Sequence, residues 1–265
     1  MRLVCLQLRL FWQDRELCSK KSPLRLLHVS DASKGDSLPR SLQPSFLREA
    51  TDARCGGTPC SWHERDKDTT GEETGAVLME LVGEQRLQWL VLGAYGRKGE
   101  KVLGNTADMQ LKSCLTNYVL VRPGRELSRK KLHFLVATDD SPASWAAFNK
   151  VLALCGCNDR VTAVYASSVL SFTTKMQRYA ETIAQRKGVE GDARLLRFSA
   201  DKSVAEAVVD FVDSDDCAEV DFIVLGMKGY GSVDASGIAL GSVVSDIIKR
   251  SKDSIIVIKQ MSDHR

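Results

Sequence analysis

One stretch near the C-terminus has the residue types and spacing to hold an anion. It reads Gly226-Met227-Lys228-Gly229, then eleven residues, then Gly241-Ser242-Val243. A glycine at a strand end has no Cβ to keep a ligand away from the backbone. Gly241 and Ser242 would open a helix, whose first N–H groups are unpaired and whose dipole favours negative charge. Ser242 adds a hydroxyl donor and Lys228 a positive charge. Together these are the parts of a phosphate cradle. A bland alternative is that the glycines only make a tight strand-to-helix connection. The order of residues is neither the Gly-Lys-Ser/Thr of a Walker loop nor a G-x-G-x-x-G following a first strand. A second candidate is Asp139, within Thr138-Asp139-Asp140-Ser141-Pro142. A carboxylate just beyond a strand can accept hydrogen bonds from an adenine amino group or ribose hydroxyls. Its alternative role is to cap the following helix, which Asp140 or Ser141 could also do.

The glycine loop occurs twice. An earlier copy carries Gly93, Gly96, Gly104 and Asn105, 133 to 137 residues upstream. Each copy follows an apolar run (89–92, 222–225) and precedes a second one (118–121, 255–258). A repeat of this period makes the chain a tandem of one fold. Its 265 residues then divide into two domains, 1–122 and 132–265, joined by a charged linker at 123–131. Each is long enough to bury its own core.

The elements that must position these loops are clearest in the second half. Apolar runs at 132–137, 161–166, 193–198, 220–225 and 255–258 read as strands. Helices are expected at 143–154, 173–187, 204–212 and 243–250. Ser203 and Glu206 have the spacing of a capping box for the third of these. Alternating strands and helices with near-continuous apolar strands predict a parallel sheet covered on both faces. Ligands of such open sheets sit beyond the C-terminal strand ends, where Asp139 and the glycine loop both open. The first half repeats the pattern from its second strand, with a strand at 24–29, a polar loop over 31–60, a helix at 74–82 and a strand at 87–92. An offset of 135 carries Asp139 back onto Val4, so this copy lacks its first strand. Residues 6–17 then correspond to the first helix. In a rival reading Leu6, Leu8 and Leu10 form a replacement strand.

Other chemistries have weaker support. A net charge of +3 is too small to imply a nucleic-acid partner. The apolar runs are too short to span a bilayer, and the opening residues lack a signal-peptide cleavage pattern, so a cytoplasmic protein is expected. The eight cysteines include one cluster, Cys55, Cys60 and His63, without the second ligand pair that zinc needs. His28 and His133 fall in strands and read as packing residues, and His264 stands alone near the terminus. Neither a nucleophile elbow nor a paired-histidine motif occurs. Slow hydrolysis of a bound nucleotide is the most catalysis expected.

The pattern G-x2-G-x9-G-S/T after the fourth strand, with V-A-x-D-x-S after the first, resembles the universal stress protein family. Here it stands as Val136-Ala137-Thr138-Asp139-Asp140-Ser141 and as Gly226, Gly229, Gly241 and Ser242. The resemblance implies an α/β, Rossmann-like fold: two tandem open parallel five-stranded sheets of order 3-2-1-4-5, the first copy lacking or replacing its first strand. It implies homodimerisation, or pairing of the two halves, through the last strands. It also implies ATP, with Mg2+, as ligand, and a nucleotide-dependent sensor or switch in stress response. Carried over by position, the binding residues are Asp139, Val164, Gly226, Met227, Lys228, Gly229, Gly241, Ser242 and Val243. The second copy departs from the pattern, with eleven residues between Gly229 and Gly241 instead of nine and with Asp234 in that loop. The first copy departs further, with seven residues between Gly96 and Gly104, Asn105 for the Ser/Thr and no aligned Asp. Only the second copy is therefore expected to bind nucleotide. The competing expectation is an interaction module of the same fold that binds none. A nucleotide-using enzyme of a related superfamily would need a Ser-Gly-Gly loop that the chain lacks.

Overall fold

The structure, a computed structural model, describes residues 24–30, 60–67, 73–95, 103–113, 116–122, 131–167, 173–217, 219–228 and 240–259. In chain order the elements are β1 (Leu24–Ser30), β2 (Cys60–Asp66), α1 (Thr74–Glu84), β3 (Trp89–Gly93), α2 (Asn105–Ser113) and β4 (Asn117–Val121). They continue with β5 (His133–Thr138), α3 (Pro142–Leu154), β6 (Arg160–Ser167), α4 (Thr173–Gln185) and β7 (Glu190–Arg197). The last four are α5 (Val204–Val212), β8 (Phe222–Gly226), α6 (Ser242–Arg250) and β9 (Ser254–Ile258).

The strands of the second half lie in the order β9-β8-β5-β6-β7, the expected 3-2-1-4-5, and all pair in parallel. This sheet does not stop at β9. β4 pairs antiparallel with β9, and β3 parallel with β4, giving seven strands in the order β3-β4-β9-β8-β5-β6-β7. β1 and β2 form a separate parallel pair. β3 and β4 of the first half thus share one sheet with the second half, where two sheets were expected. The reason is visible in β9, whose five residues are all buried: an edge strand so apolar needs a partner. The expectations for residues 1–23, including the first strand of the first copy and its rival, lie outside the described residues.

Alternate residues of each strand feed two cores. Phe134, Val136, Val161, Ala163, Phe222 and Val224 pack under α3 and α4, with Phe148, Tyr179 and Ile183. Leu135, Val164, Ile223, Leu225, Ile255 and Val257 pack under α1, α2, α5 and α6, with Leu78, Leu111, Val208 and Ile247. The helices begin where the chain supplies caps. Ser203 accepts from the Glu206 N–H and the Glu206 carboxylate accepts from the Ser203 N–H, which closes the expected capping box of α5.

At the junction of the halves each contact has a counterpart 137 residues away. The β4–β9 register pairs Tyr118 with Val257, Val119 with Ile256 and Leu120 with Ile255. Arg122, just after β4, donates from its guanidinium to the Ile248 carbonyl at the end of α6. Lys259, just after β9, donates from Nζ to the Leu111 carbonyl near the end of α2 (3.3 Å). The Arg122 N–H donates to Ser254 Oγ (3.2 Å) and the Lys259 N–H to Asn117 Oδ1 (3.0 Å). Exchanging the two halves maps this set onto itself, the signature of an isologous contact.

Candidate functional site

β5 ends at Thr138, and the chain turns through Asp139, Asp140 and Ser141 into α3. Ser141 is the N-cap: its Oγ accepts from the Ser144 N–H (3.2 Å), with Pro142 at the first helical position. The capping role considered for Asp139 is therefore filled by Ser141. Asp139 Oδ1 accepts from the Ser141 N–H (3.0 Å), an Asx turn at the sheet's rim. Asp140 is left-handed (φ 65°) and its side chain is 11% exposed. It accepts from Trp145 Nε1 (2.8 Å) and pairs with Lys175 Nζ (2.7 Å). Burial pushes the Asp140 carboxyl up. The hydrogen bonds from Lys175 and Trp145, with the Arg178 charge, outweigh it and hold the group below its ordinary value.

On the other side of the crevice β8 ends at Gly226. The Met227 N–H donates to the Ile258 carbonyl (2.9 Å), and the Gly241 N–H to the Met227 carbonyl (3.0 Å). Gly241 is the N-cap of α6, in ordinary extended backbone (φ −62°, ψ 150°). Among the described residues none caps α6 with a side chain, and the first turn of α6 holds no acidic residue. Ser242 and Val243 are exposed there. Ser141 Oγ lies 3.5 Å from the Lys228 carbonyl, so the turn bearing Asp139 and the start of the glycine loop meet. Gly229 and Asp234 lie outside the described residues.

Two site expectations change. Gly226 was read as leaving room for a ligand. A Cβ there would instead meet the backbone of α3, 2.6 Å from the Ala143 carbonyl carbon and 2.8 Å from the Ser144 nitrogen. The glycine lets β8 and the first turn of α3 touch. Val164 is fully buried and paired in register with Ala137 and Arg194. Thr138 stands opposite Tyr165, so Ala166, not Val164, is level with Asp139. Tyr165 itself was missed. Burial, with the Asp139 and Asp140 charges, raises its phenol against the lowering effect of Lys175. The alternation of a strand whose residue 164 faces the core puts 165 on the opposite face, a signal available in the sequence.

The first half has the same frame with different chemistry. The Ala94 N–H donates to the Val121 carbonyl (2.9 Å), Gly104 N–H to Ala94 (2.9 Å) and Asp108 N–H to Gly104 (2.9 Å), matching Met227–Ile258, Gly241–Met227 and Ser245–Gly241. Its helix, α2, carries Asp108 in the first turn, paired with Lys112 (2.7 Å). A carboxylate there takes up the favourable end of the dipole that a phosphate would use. Cys60 and His63 both fall on β2, and Cys55 lies outside the described residues. Among the described residues no group of three His, Cys, Asp or Glu is placed to hold a metal ion. Nor, among them, is any helix long and apolar enough to cross a membrane.

A mostly parallel open sheet with helices on both faces defines a Rossmann-like α/β protein. Residues 132–259 match the model of the universal stress protein family, a match confined to the second half of the chain. The fold is similar over most of the chain to a universal stress protein from Archaeoglobus fulgidus DSM 4304, at 17% identity and TM-score 0.59, covering 91% of this chain and 86% of that one. It is likewise similar to a putative universal stress protein from Pseudomonas aeruginosa UCBPP-PA14, at 12% identity and TM-score 0.61, covering 89% and 82%. Comparison with curated protein sequences returns no match.

Proposed function

We propose that the chain is a tandem universal-stress-type protein, cytoplasmic, that binds one ATP in its second half and acts as a nucleotide-dependent sensor or switch. The observation that carries this reading is the start of α6, capped by no side chain among the described residues and free of acidic residues in its first turn, with the Asp139 turn joined to the start of the glycine loop by the Ser141–Lys228 contact. The first-turn amides, with Ser242 and Lys228, suit the phosphates. Asp139, with the backbone at Ala166, suits the adenine and ribose. Met227, Gly229, Gly241 and Val243 supply the loop between them, and Mg2+ would arrive on the phosphates.

The division into 1–122 and 132–265 belongs to the same proposal, with the first half a degenerate copy. It is supported by the shared hydrogen-bond frame, the self-matching β4–β9 junction and a fold similarity that spans nine tenths of the chain. The β4–β9 contact then does within one chain what dimerisation does between two.

Equilibrium dialysis with labelled ATP tests the site. Asp139→Ala and Gly229→Val should each weaken binding at least about tenfold, the loss of roughly one charged hydrogen bond. Unchanged binding in both variants would refute the assignment. A second reading, an interaction module that binds no nucleotide, is favoured by the glycine loop, four residues longer in the second half than in the first. It expects no nucleotide to survive purification and no thermal shift with ATP.

A further inference from the structure

Two hydroxyls and a phenol, all buried, run in one line beneath the Asp139 turn. Ser144 Oγ donates to the Ser141 carbonyl (2.9 Å), and Thr138 Oγ1 donates to Ser144 Oγ (2.9 Å). The Thr138 proton is thereby committed, so at the 2.6 Å contact with Tyr179 it is the tyrosine that donates. Thr138 Oγ1 also accepts from the Asp140 N–H (3.0 Å), which fills its second lone pair. Tyr179 and Ser144 are 0% and 3% exposed, so water cannot replace a missing partner cheaply.

The other supports of the turn come from the same place. The Trp145 ring stacks on Tyr179, with centroids 4.1 Å apart and planes 12° apart, and its Nε1 donates to Asp140. Lys175, one turn before Tyr179 on α4, holds the other Asp140 oxygen. Arg178 lies over the Trp145 ring, 5.2 Å from its centroid. Thr138 and Asp140, on either side of Asp139, are thus each fixed by α4 or by a ring stacked on it. Asp140 also sits at a positive φ, a conformation costly for a non-glycine residue unless its surroundings impose it.

We infer that Tyr179 is a positioning residue for the nucleotide site: its phenol, through Thr138, sets the turn that presents Asp139 to the adenine and ribose. The inference rests on the ATP reading of that crevice. It assigns α4 to the base-binding half of the site; the Ser141–Lys228 contact joins the Asp139 turn to the start of the glycine loop.

The test separates the two halves of the ligand. Adenosine and inorganic tripolyphosphate are each titrated into the full chain, its Tyr179→Phe and Thr138→Val variants, and Ser203→Ala as a control whose lost cap lies away from the site. Tyr179→Phe keeps the ring packing and should lower adenosine affinity about tenfold, while tripolyphosphate affinity stays within about twofold. Thr138→Val should behave alike, and Ser203→Ala should change neither. Equal loss of both ligands, or no loss of adenosine, overturns the inference. If the unaltered chain binds neither ligand, the nucleotide reading fails. Amide exchange of the unliganded protein then still decides the positioning claim. Residues 139–141 should exchange about tenfold faster in Tyr179→Phe with β9 unchanged, and equal rates would overturn it.

Discussion

A methyl group on Gly226 would lie 2.7 Å from the Ala143 carbonyl oxygen, inside any allowed contact, and both partners are backbone. Gly226→Ala must therefore push β8 away from α3. The expected cost is about 1–3 kcal/mol, as for other overpacked sites, or about 2–4 °C of melting temperature for each kcal/mol. Thermal denaturation measures it, and an unchanged midpoint would show that the helix can retreat freely. The Tyr179 phenol offers a second check. Burial, against hydrogen bonding with Thr138 and Ser144, pushes it up to about 12 from an ordinary 10. A raised value in the folded state means that the protonated phenol stabilises the fold fully below about pH 10. That contribution is lost as pH climbs from about 10 to about 12. The alkaline unfolding midpoint of Tyr179→Phe should be less steep in this window than that of the unaltered chain, as followed by circular dichroism. Asp139, Lys228 and Ser242 are legible in the sequence as a candidate site. Tyr179 was not, because its role depends on α4 crossing beneath a turn more than thirty residues away.

Among the elements, capping was readable and strand limits were less so. The Ser203–Glu206 box is formed as its spacing predicts. Ser203→Ala should cost about 1 kcal/mol, seen as a lower urea midpoint with an unchanged slope. A changed slope would mean that α5 unfolds separately from the sheet. β7 begins at Glu190, three residues before the expected 193. Its polar opening, Glu190-Gly191-Asp192, looks like a turn. It is strand because the absent Cβ of Gly191 would fall 1.8 Å from the Val161 carbonyl oxygen, so close does β6 run. β2, CSWHERD, starts at the last residue of the expected polar loop and is a strand that the sequence reading does not include. Its polar residues, Glu64 and Asp66, are exposed, as a strand with one wet face allows.

For the whole molecule the decisive contact is β4 against β9. Periodicity predicts a repeat but no strand partners, since these are not encoded locally; pairing through the last strands is what the family resemblance implies. Val119 and Ile256, paired at the centre of this contact and 2% and 0% exposed, leave no room for a charge. Val119→Asp should therefore uncouple the halves, giving two thermal transitions in place of one, at a cost above about 3 kcal/mol. A single, slightly shifted transition would mean that the junction contributes little. The same comparison of halves underlies the functional account: one frame, but only α6 offers a helix start free of its own carboxylate. Calorimetric titration of the full chain with ATP tests that claim most directly. The account predicts one ATP per chain; two equivalent sites, or none, would contradict it.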